Sequence, residues 1–447
     1  MVSAAEQLVA NINLGALGKA TELKKRLWFT LSALVIYRLG TYIPIPGIDP
    51  TILADVFQRN AGGILGMFNL LSGGALERMT IFALNVMPYI SASIILQLLT
   101  TVSPHLEQLK KEGEVGRKKM NQYTRYGTVG LAAVQAYGIA IGLESMPGSQ
   151  GSAVVEPGMF FRLTTVISLV GGTMFLLWLG EQITARGVGN GISLIIFAGI
   201  VAQLPSALAA TLELGRTGAL STFLIIFLLV MAIGVVGFIV FVERAQRRIV
   251  IQYPKRQVGM KMFGGESSHL PLKINTAGVI PPIFASSILL MPITLASFTT
   301  GQGPEWLTTV TTFLQPGQLP YMALYAGAII FFAFFYTAVV FNPADTADNL
   351  KKYGGFIPGI RPGKNTAEFL DYVLTRLTTV GAIYLAAVAL LPQVLISELA
   401  VPFMFGGTSL LIVVTVTMDT VAQIQAHLLA HQYEGLIKKT RLRGRRA

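Results

Sequence analysis

The sequence contains no cysteine, which excludes disulfide bonds, thiolate nucleophiles and cysteine-ligated metal sites. Charged residues are also scarce: they make up 13% of the 447 residues, and histidine occurs only 4 times. Mean hydropathy is +0.61, and 53% of the residues are hydrophobic, a balance outside that of ordinary water-soluble domains. The composition therefore indicates a polytopic membrane protein.

Apolar runs recur along the chain at a length that suits a membrane-spanning helix, which needs about 17 to 25 residues to cross a hydrocarbon core of roughly 30 Å. The runs cover approximately residues 25–43, 79–102, 124–143, 159–180, 190–209, 218–242, 276–299, 319–341, 372–391 and 403–424. We therefore predict an all-α membrane protein with ten transmembrane helices.

Basic residues are distributed unevenly between the loops. Most of the 34 lysines and arginines lie in the amino-terminal segment, in alternate loops and in the carboxyl-terminal tail. The basic residues on the opposite side are Arg59, Arg78, Arg162 and Arg216. Because loops rich in lysine and arginine stay inside, both termini are predicted to be cytoplasmic. Arg38 lies near the outer end of the first run, where its side chain can snorkel to the interface.

The ten runs divide into two sets of five at the loop near Glu213 to Gly218. An odd number of spans per half makes the two halves insert with opposite orientation, which permits an inverted repeat with a passage at the seam. We predict an amino-terminal half at 1–213, a carboxyl-terminal half at 214–430 with long cytoplasmic loops at 243–273 and 342–371, and a basic cytoplasmic tail at 431–447.

A short apolar segment, residues 64–76, stands directly before the second run and contains Ser72, Gly73 and Gly74. It is too short to cross a bilayer as a helix. A half-helix at membrane depth is tolerated only inside protein or a cavity, because its end groups cannot face lipid. The alternative is an amphipathic outer loop that rests at the membrane interface.

Local patterns mark structure in the two long inner loops. Residues Arg248 to Tyr253 alternate as a strand does, and Pro254 with Lys255 marks a turn, so the first loop is predicted to form a hairpin. In the second loop, Asn365 followed by Glu368 has the spacing of a capping box that restarts a helix before the ninth span.

The sequence holds no recognisable catalytic constellation, so we do not expect an enzyme. His427 and His431 have the i, i+4 spacing of a metal pair, but no carboxylate at ligand spacing completes a site, and a solvated helix face is the expected role. Ion-coupled carriers keep ionisable groups near the bilayer midplane. The acidic residues of the spans instead lie at or near their inner ends: Glu181, Glu243, Asp371 and Asp419.

Apolar pairs at i, i+4 accompany helix breakers in two of the spans. Val86 and Ile90 flank Pro88, and Ile192 and Ile196 follow the tight turn of Gly187 to Gly191. Each pair lies on one helix face. On pattern alone, ordinary helix packing or lipid contact explains such pairs as well as a functional role does.

Several long motifs in order closely resemble the bacterial SecY family, the channel subunits of the Sec protein translocase, from about Lys24 to Lys439. These motifs are FNLLSGGALERMTIFALNVMPYISASIILQLL, KKEGEVGRKKMNQYTRYGT, WLGEQITARGVGNGISLIIFAGI, HLPLKINTAGVIPPIFASSIL, FFYTAVVFNPADTADNLKKYGGFIPGIRPG and VPFMFGGTSLLIVV.

The resemblance implies a ten-helix clamshell channel in the bacterial cytoplasmic membrane that passes unfolded secretory polypeptides and releases membrane helices sideways into lipid. Segment 64–76 would be a plug that stops the outer vestibule, and Gly73 and Gly74 would supply its hinge. The implied plug residues are Ile64, Leu65, Met67, Phe68, Leu71, Ser72, Gly73 and Gly74. The implied apolar pore ring is Val86, Ile90, Ile192, Ile196, Ile283 and Ile412.

The resemblance also implies a lateral gate between spans 2 and 7, with a polar contact between Gln97 and Asn275. The alternative is that each amide is satisfied locally. Implied partners are the subunits SecE and SecG, the motor ATPase SecA and the ribosome, with Lys255, Arg256 and Arg361 as docking residues; no cofactor or metal is implied. Other functional classes are a small-molecule uniporter, which predicts a polar midplane pocket, and a membrane enzyme.

Overall fold

A computed structural model describes residues 21–49, 53, 69, 72–145, 147–148, 151–152, 154–218, 221–254, 256–258, 261–263, 267–297, 318–399 and 407–443. Its helices are α1 Thr21–Gly40, α2 Met87–Val102, α3 Pro104–Lys111, α4 Glu114–Ser145, α5 Met159–Arg186, α6 Gly191–Arg216, α7 Thr222–Arg244, α8 Ile280–Ser297, α9 Leu319–Val340, α10 Pro343–Lys352, α11 Lys364–Leu399 and α12 Gly407–Arg443. Its strands are β1 Pro147–Gly148, β2 Gly151–Ser152, β3 Gln246–Gln252, β4 Arg256–Val258, β5 Lys261–Phe263 and β6 Ser267–Lys273.

Each predicted apolar run overlaps one helix, and α3 and α10 are additional short helices between these. Within the described residues, 7 helices are long and apolar enough to cross a membrane: α4, α5, α6, α7, α9, α11 and α12. Helix α2 and the segment Ile280–Leu289 of α8 are apolar but shorter. The prediction of an all-α membrane protein is confirmed.

The predicted bounds of several spans are wrong. Helix α2 begins at Met87 instead of residue 79, because residues 81–86 form turns and Pro88 occupies the first helical turn, the position that proline favours. Helix α4 begins at Glu114 and α11 at Lys364, both well before the predicted apolar runs. The polar first turns of these two helices need no lipid contact, so the helix continues beyond the apolar part of the sequence.

The chain forms two compact units. The first contains Met1–Ala210, Ile293–Thr308 and Ile412–Ala447, and the second contains Thr211–Pro292 and Thr309–Leu411. In the first unit, α4 packs against α2 and α5, and α1 packs against α5. Ala132, Ala136 and Ala140 on α4 are completely buried. These small residues at every fourth position let neighbouring backbones approach closely, which is how membrane helices associate without a hydrophobic driving force.

The second unit contains packed helices and the two long loops predicted from the sequence. Helix α11 packs against α9 and α10, and β3 pairs antiparallel with β6, from Gln246 opposite Lys273 to Gln252 opposite Ser267. Phe356 adds a bridge to Gln252, with N to O distances of 2.9 and 3.0 Å. The two long loops therefore share one hydrophobic core, composed of Ile249, Leu272, Ile357, Leu370 and Val373.

Two local predictions in these loops need correction. The strand beginning near Arg248 exists, but its partner is β6 instead of the residues after Pro254, because a smaller hairpin of β4 and β5 stands between them. Asn365 is not an N-cap, since α11 begins one residue earlier, directly after Gly363 at φ +105°. Glu368 instead approaches Lys364, with Nζ 3.9 Å from Oε1.

Candidate functional site

The turn Gly187–Gly191 joins α5 to α6 and is held by two side chains from elsewhere in the first unit and by one of its own. Thr30 Oγ1 accepts from the Val188 amide at 3.0 Å, and Gln423 Oε1 accepts from the Gly189 amide at 2.9 Å. Asn190 Oδ1 accepts from the Ile192 amide at 3.1 Å. Gly189 has φ +92°, which favours glycine, so the predicted tight turn is present.

The start of α6 lies in direct backbone contact with α5. A β-carbon on Gly191 would lie 1.9 Å from the Gly180 carbonyl oxygen, and one on Gly180 would lie 3.0 Å from an Ile192 side-chain carbon. Only glycine at position 191 permits this approach. The two helices, the turn and Gln423 of α12 thus fix the position at which Ile192 and Ile196 enter the first unit.

The predicted ring residues share a place in their helices. Val86 is the N-cap of α2, Ile90 follows in its first turns, and Ile192 and Ile196 lie in the first two turns of α6. Ile283 and Ile412 have the same place in α8 and α12. The exposed fractions of Val86, Ile90, Ile196 and Ile412 are 1%, 7%, 6% and 1%, and Ile192 and Ile283 are half-buried. Ile283 belongs to the second unit and the other five to the first.

The stretch before α2 is irregular yet buried. Residues 81–86 form turns, Thr80 forms a bridge to Pro44, and φ is +45° at Met79 and +50° at Asn85. The Ile45 amide donates to Met79 O at 3.0 Å, and the Ile81 amide donates to Ile43 O at 3.1 Å. Non-helical backbone inside a membrane protein requires such internal partners, because lipid supplies none.

The predicted plug falls only partly on described residues. Ile64, Leu65, Met67, Phe68 and Leu71 lie outside them. Ser72, Gly73 and Gly74 are buried, and the glycines have φ +70° and +82°. A β-carbon on Gly73 would lie 2.9 Å from Gly199 Cα, so this position serves close backbone packing as well as the turn.

Asn275 is satisfied within the second unit. Its Nδ2 donates to Glu243 Oε1 at 2.6 Å and to Gly278 O at 3.1 Å, and its Oδ1 accepts from the Gly278 amide at 3.0 Å. Asn275 and Glu243 are 4% and 6% exposed. Burial of a carboxylate is costly unless it accepts hydrogen bonds, so Glu243 and Asn275 stabilise each other.

Gln97, the predicted partner of Asn275, lies in α2 and is half-buried. Its Nε2 donates to Ser93 Oγ at 3.4 Å, a weak bond within its own helix. Its Oε1 is buried and has no hydrogen-bond partner among the described residues. The local interpretation of the two amides therefore accounts for Asn275 but leaves one oxygen of Gln97 unexplained.

The structure describes two of the three predicted docking residues, Arg256 and Arg361. Lys255 lies outside the described residues, and Arg256 belongs to β4. Arg361 lies between Gly359 at φ +82° and Gly363 at φ +105°, and its carbonyl accepts from Thr366 Oγ1 at 2.9 Å. An open groove beside it is lined by Gly359, Ile360, Arg361, Asn365, Glu368, Phe369 and Tyr372.

Several contacts of functional interest were not predictable from local pattern. The Arg38 guanidinium binds inside the protein: its Nη1 donates to Gly73 O at 2.9 Å and its Nη2 to the Tyr42 hydroxyl at 2.9 Å. The sequence indicates Glu243 only as an acidic residue near the inner end of a predicted span. For Gln423 and Thr30 the sequence gives no signal, because their partners are more than 150 residues away.

Comparison with known proteins gives one consistent result. A family model described as SecY matches residues 80–421. Protein translocase subunit SecY of Escherichia coli (strain K12) is 58% identical over 430 residues, which cover 96% of this chain and 97% of that protein.

Two solved structures share the fold. One, described as a protein conducting channel, has a TM-score of 0.60 at 19% identity and covers 91% of this chain and 92% of its own. The other, Sec61 in the canine ribosome-channel complex from the endoplasmic reticulum, has a TM-score of 0.58 at 18% identity, with 91% and 92% coverage.

Proposed function

We propose a function from one premise: the chain belongs to the SecY family. It is a multi-pass membrane protein that conducts polypeptides, passing unfolded secretory proteins across the membrane and releasing transmembrane segments sideways into lipid. The observation that carries this conclusion is the 58% identity over 430 residues to a protein translocase subunit. The aligned part covers 96% of this chain.

Val86, Ile90, Ile192, Ile196, Ile283 and Ile412 form the constriction in this proposal. The helix starts that carry them contain no charged side chain, and their sequences are VMPYI, GISLII, IPPI and GTSLLI. A narrow apolar collar blocks water and ions by dewetting, while it offers no fixed hydrogen-bond partner to a passing chain. A collar of this kind fits a conduit that must accept polypeptides of many sequences.

The proposed plug is segment 64–76, which stops the outer side of this constriction at rest. The proposed lateral gate lies between α2 and α8. Gln97 and Asn275 would face it, and an interhelical amide contact in a membrane contributes about 0.6 to 2 kcal/mol. That is enough to favour closure and little enough to be broken by an entering segment.

The inner loops are the proposed docking surface for SecA and for the ribosome, and SecE and SecG are the proposed partner subunits. Related channels have been described in ribosome complexes. The shared core of β3, β6 and α11 supports Arg361 on a structured base, and Lys255 and Arg256 add charge. If the contact with ribosomal RNA is mainly electrostatic, its affinity is expected to fall steeply as the salt concentration rises. The proposed location is the bacterial cytoplasmic membrane, with both termini cytoplasmic.

Two isoleucines of α2 provide a matched test of the constriction. Ile90 is 7% exposed and Ile95 is 43% exposed. In proteoliposomes that hold the complex as purified from membranes, Ile90→Ser is expected to raise resting ion conductance several-fold, because a hydroxyl lets water wet the collar. Ile95→Ser is expected to leave it unchanged, because serine can bond to its own helix backbone.

The same vesicles test the function itself. Wild-type complex supplied with SecA, ATP and an unfolded secretory precursor is expected to move the precursor to a protease-protected position. Saturable uptake of a small solute without precursor transport would instead support a uniporter and overturn the proposal. Equal conductance of the two serine variants would remove Ile90 from the constriction.

A further inference from the structure

The turn at Ser72–Leu76 is stabilised by hydrogen bonds within the segment from Asn69 to Glu77. The Gly74 amide donates to Asn69 O at 2.9 Å, and Ser72 Oγ accepts from the Leu76 amide at 3.3 Å. Asn69 and Glu77 exchange two bonds, from the Glu77 amide to Asn69 Oδ1 at 2.9 Å and from Asn69 Nδ2 to Glu77 Oε2 at 3.0 Å. Ser72, Ala75 and Leu76 are 3%, 0% and 7% exposed.

Helix α1 holds this turn by its carbonyl groups. The Arg38 guanidinium donates to Gly73 O at 2.9 Å, and the Tyr37 hydroxyl, in a completely buried side chain, donates to Ser72 O at 3.4 Å. A hydrogen bond from a charged donor to a partly buried carbonyl is among the stronger ones in proteins. Two consecutive peptide units of the turn are thereby fixed to one helix.

Helix α6 holds the same turn from a second position. Gln203 Nε2 donates to Asn69 O at 3.0 Å, and Gly73 packs on the Gly199 backbone, where a β-carbon would lie 2.9 Å from Gly199 Cα. Helix α6 also carries Ile192 and Ile196. A displacement of α6 would therefore break the contacts of the turn together with those of the proposed constriction.

The Tyr42 ring contacts both Arg38 and Arg78, which follows the turn in the sequence. The Arg38 guanidinium carbon lies 4.9 Å from the centre of the Tyr42 ring, and that of Arg78 lies 4.3 Å from it. Cations at this range are attracted by the negative face of an aromatic ring. The phenol oxygen also accepts from Arg38 Nη2, so the guanidinium is oriented towards Gly73.

We infer that Arg38, together with Tyr37 and Gln203, is a latch that keeps the Ser72–Leu76 turn seated and the resting channel shut. Gly73 and Gly74 then act as a fixed seat and not as a hinge, because their backbone groups are bonded to Asn69 and α1 and packed against α6. The inference rests on the proposed channel function. Arg38 is a positioning residue, since it acts through the turn.

Because the chain has no cysteine, an introduced cysteine is the only thiol of the chain that a maleimide can label. Ser72→Cys introduces one thiol at a buried position, and Val155→Cys, at a residue that is 69% exposed, provides an accessible outer thiol. In right-side-out vesicles, an impermeant maleimide is expected to label the Val155→Cys variant quickly and the Ser72→Cys variant slowly. Adding Arg38→Gln to Ser72→Cys is expected to raise the labelling rate roughly tenfold, the factor for losing one hydrogen bond to a charged group.

Arg162 supplies the control, because it is predicted to lie on the outer side and pairs with Glu144, with Nη2 2.7 Å from Oε2. Arg38→Gln is expected to raise resting ion conductance in proteoliposomes, and Arg162→Gln is not. If Arg38→Gln does not fold, Gln203→Met removes the bond to Asn69 at similar volume and must show the same two changes.

Unchanged labelling and conductance in the folded Arg38→Gln or Gln203→Met variant would overturn the latch. Equal increases in Arg162→Gln would also overturn it, since the effect would then be general loosening. Translocation of a secretory precursor by the wild-type complex separates the two failures. If the wild-type complex does not translocate the precursor, the proposed function is wrong. If it does translocate the precursor but the latch variants show no increase in labelling or conductance, only the latch is wrong.

Discussion

At the scale of single residues, two buried polar groups of this protein are paired with partners that are distant in sequence. Asn275 contacts Glu243, and the amide of Gly189 donates to Gln423. An unpaired buried donor or acceptor costs about 1 to 3 kcal/mol. These few pairs therefore matter more to stability than the exposed ion pairs do, whose median contribution is about 0 to 1 kcal/mol.

Glu243 allows a direct measurement of this difference. Glu243→Ala leaves Asn275 Nδ2 with only the Gly278 carbonyl, so the free energy of unfolding is expected to fall by about 1.5 to 3 kcal/mol. The measurement is the thermal unfolding midpoint of the detergent-solubilised protein. Glu368→Ala is the control, because that carboxylate is exposed and lies 3.9 Å from Lys364 Nζ. Equal destabilisation by both variants would contradict the assignment.

At the scale of elements, glycine contacts set how closely helices approach. Helices α5 and α6 meet at Gly180 and Gly191, where the backbones are in contact. Helix α6 is thereby held where its first turns carry Ile192 and Ile196. Pro205 lies inside the same helix, which continues to Arg216. The helix therefore accommodates a residue that has no backbone N–H to donate.

Two glycines separate packing from helix propensity. Gly191→Ala places a β-carbon 1.9 Å from Gly180 O, and we expect a loss of about 1 to 3 kcal/mol in unfolding free energy from the resulting overlap. Gly171→Ala, in α5, meets no atom within 4 Å and is expected to be neutral or to gain up to about 1 kcal/mol. Unfolding midpoints measure both, and a Gly191→Ala variant as stable as wild type would show that the helices can separate freely.

At the scale of the whole molecule, the distribution of basic residues and the order of the helices predict which loops face the cytoplasm. The loops that carry Arg256 and Arg361 are expected inside, whereas the loop with Val155 is expected outside. Both sets of loops contain exposed positions that can carry a label, and the chain has no cysteine of its own. The orientation can thus be measured one residue at a time.

Tyr353→Cys and Val155→Cys test the orientation, since the parent side chains are 77% and 69% exposed. In right-side-out vesicles an impermeant maleimide is expected to label the Val155→Cys variant and to spare the Tyr353→Cys variant, and inverted vesicles are expected to give the reverse. The physical reason is that basic loops are retained on the cytoplasmic side. Labelling of both thiols from one side would overturn the assignment of five spans to each half.

The sequence alone determined the class of the protein and the number and type of its membrane segments. Long apolar runs are a property of consecutive residues, and the predicted orientation follows from the distribution of lysine and arginine between loops, so neither needs tertiary information. The turn at Gly187–Gly191 and a strand near Arg248 were predictable for the same reason. The family was predictable because its motifs are long and occur in order.

Only the tertiary structure decided where helices begin and which side chains meet. Helix α2 begins at Met87 because residues 81–86 form turns, with the Ile81 amide bonded to Ile43 O, and hydropathy cannot distinguish buried turns from helix. The contacts of Arg38 with Gly73, Glu243 with Asn275 and Gln423 with Gly189 join residues far apart in the chain. No local pattern encodes such pairs, because their stability comes from desolvation and close packing that exist only once the helices have assembled.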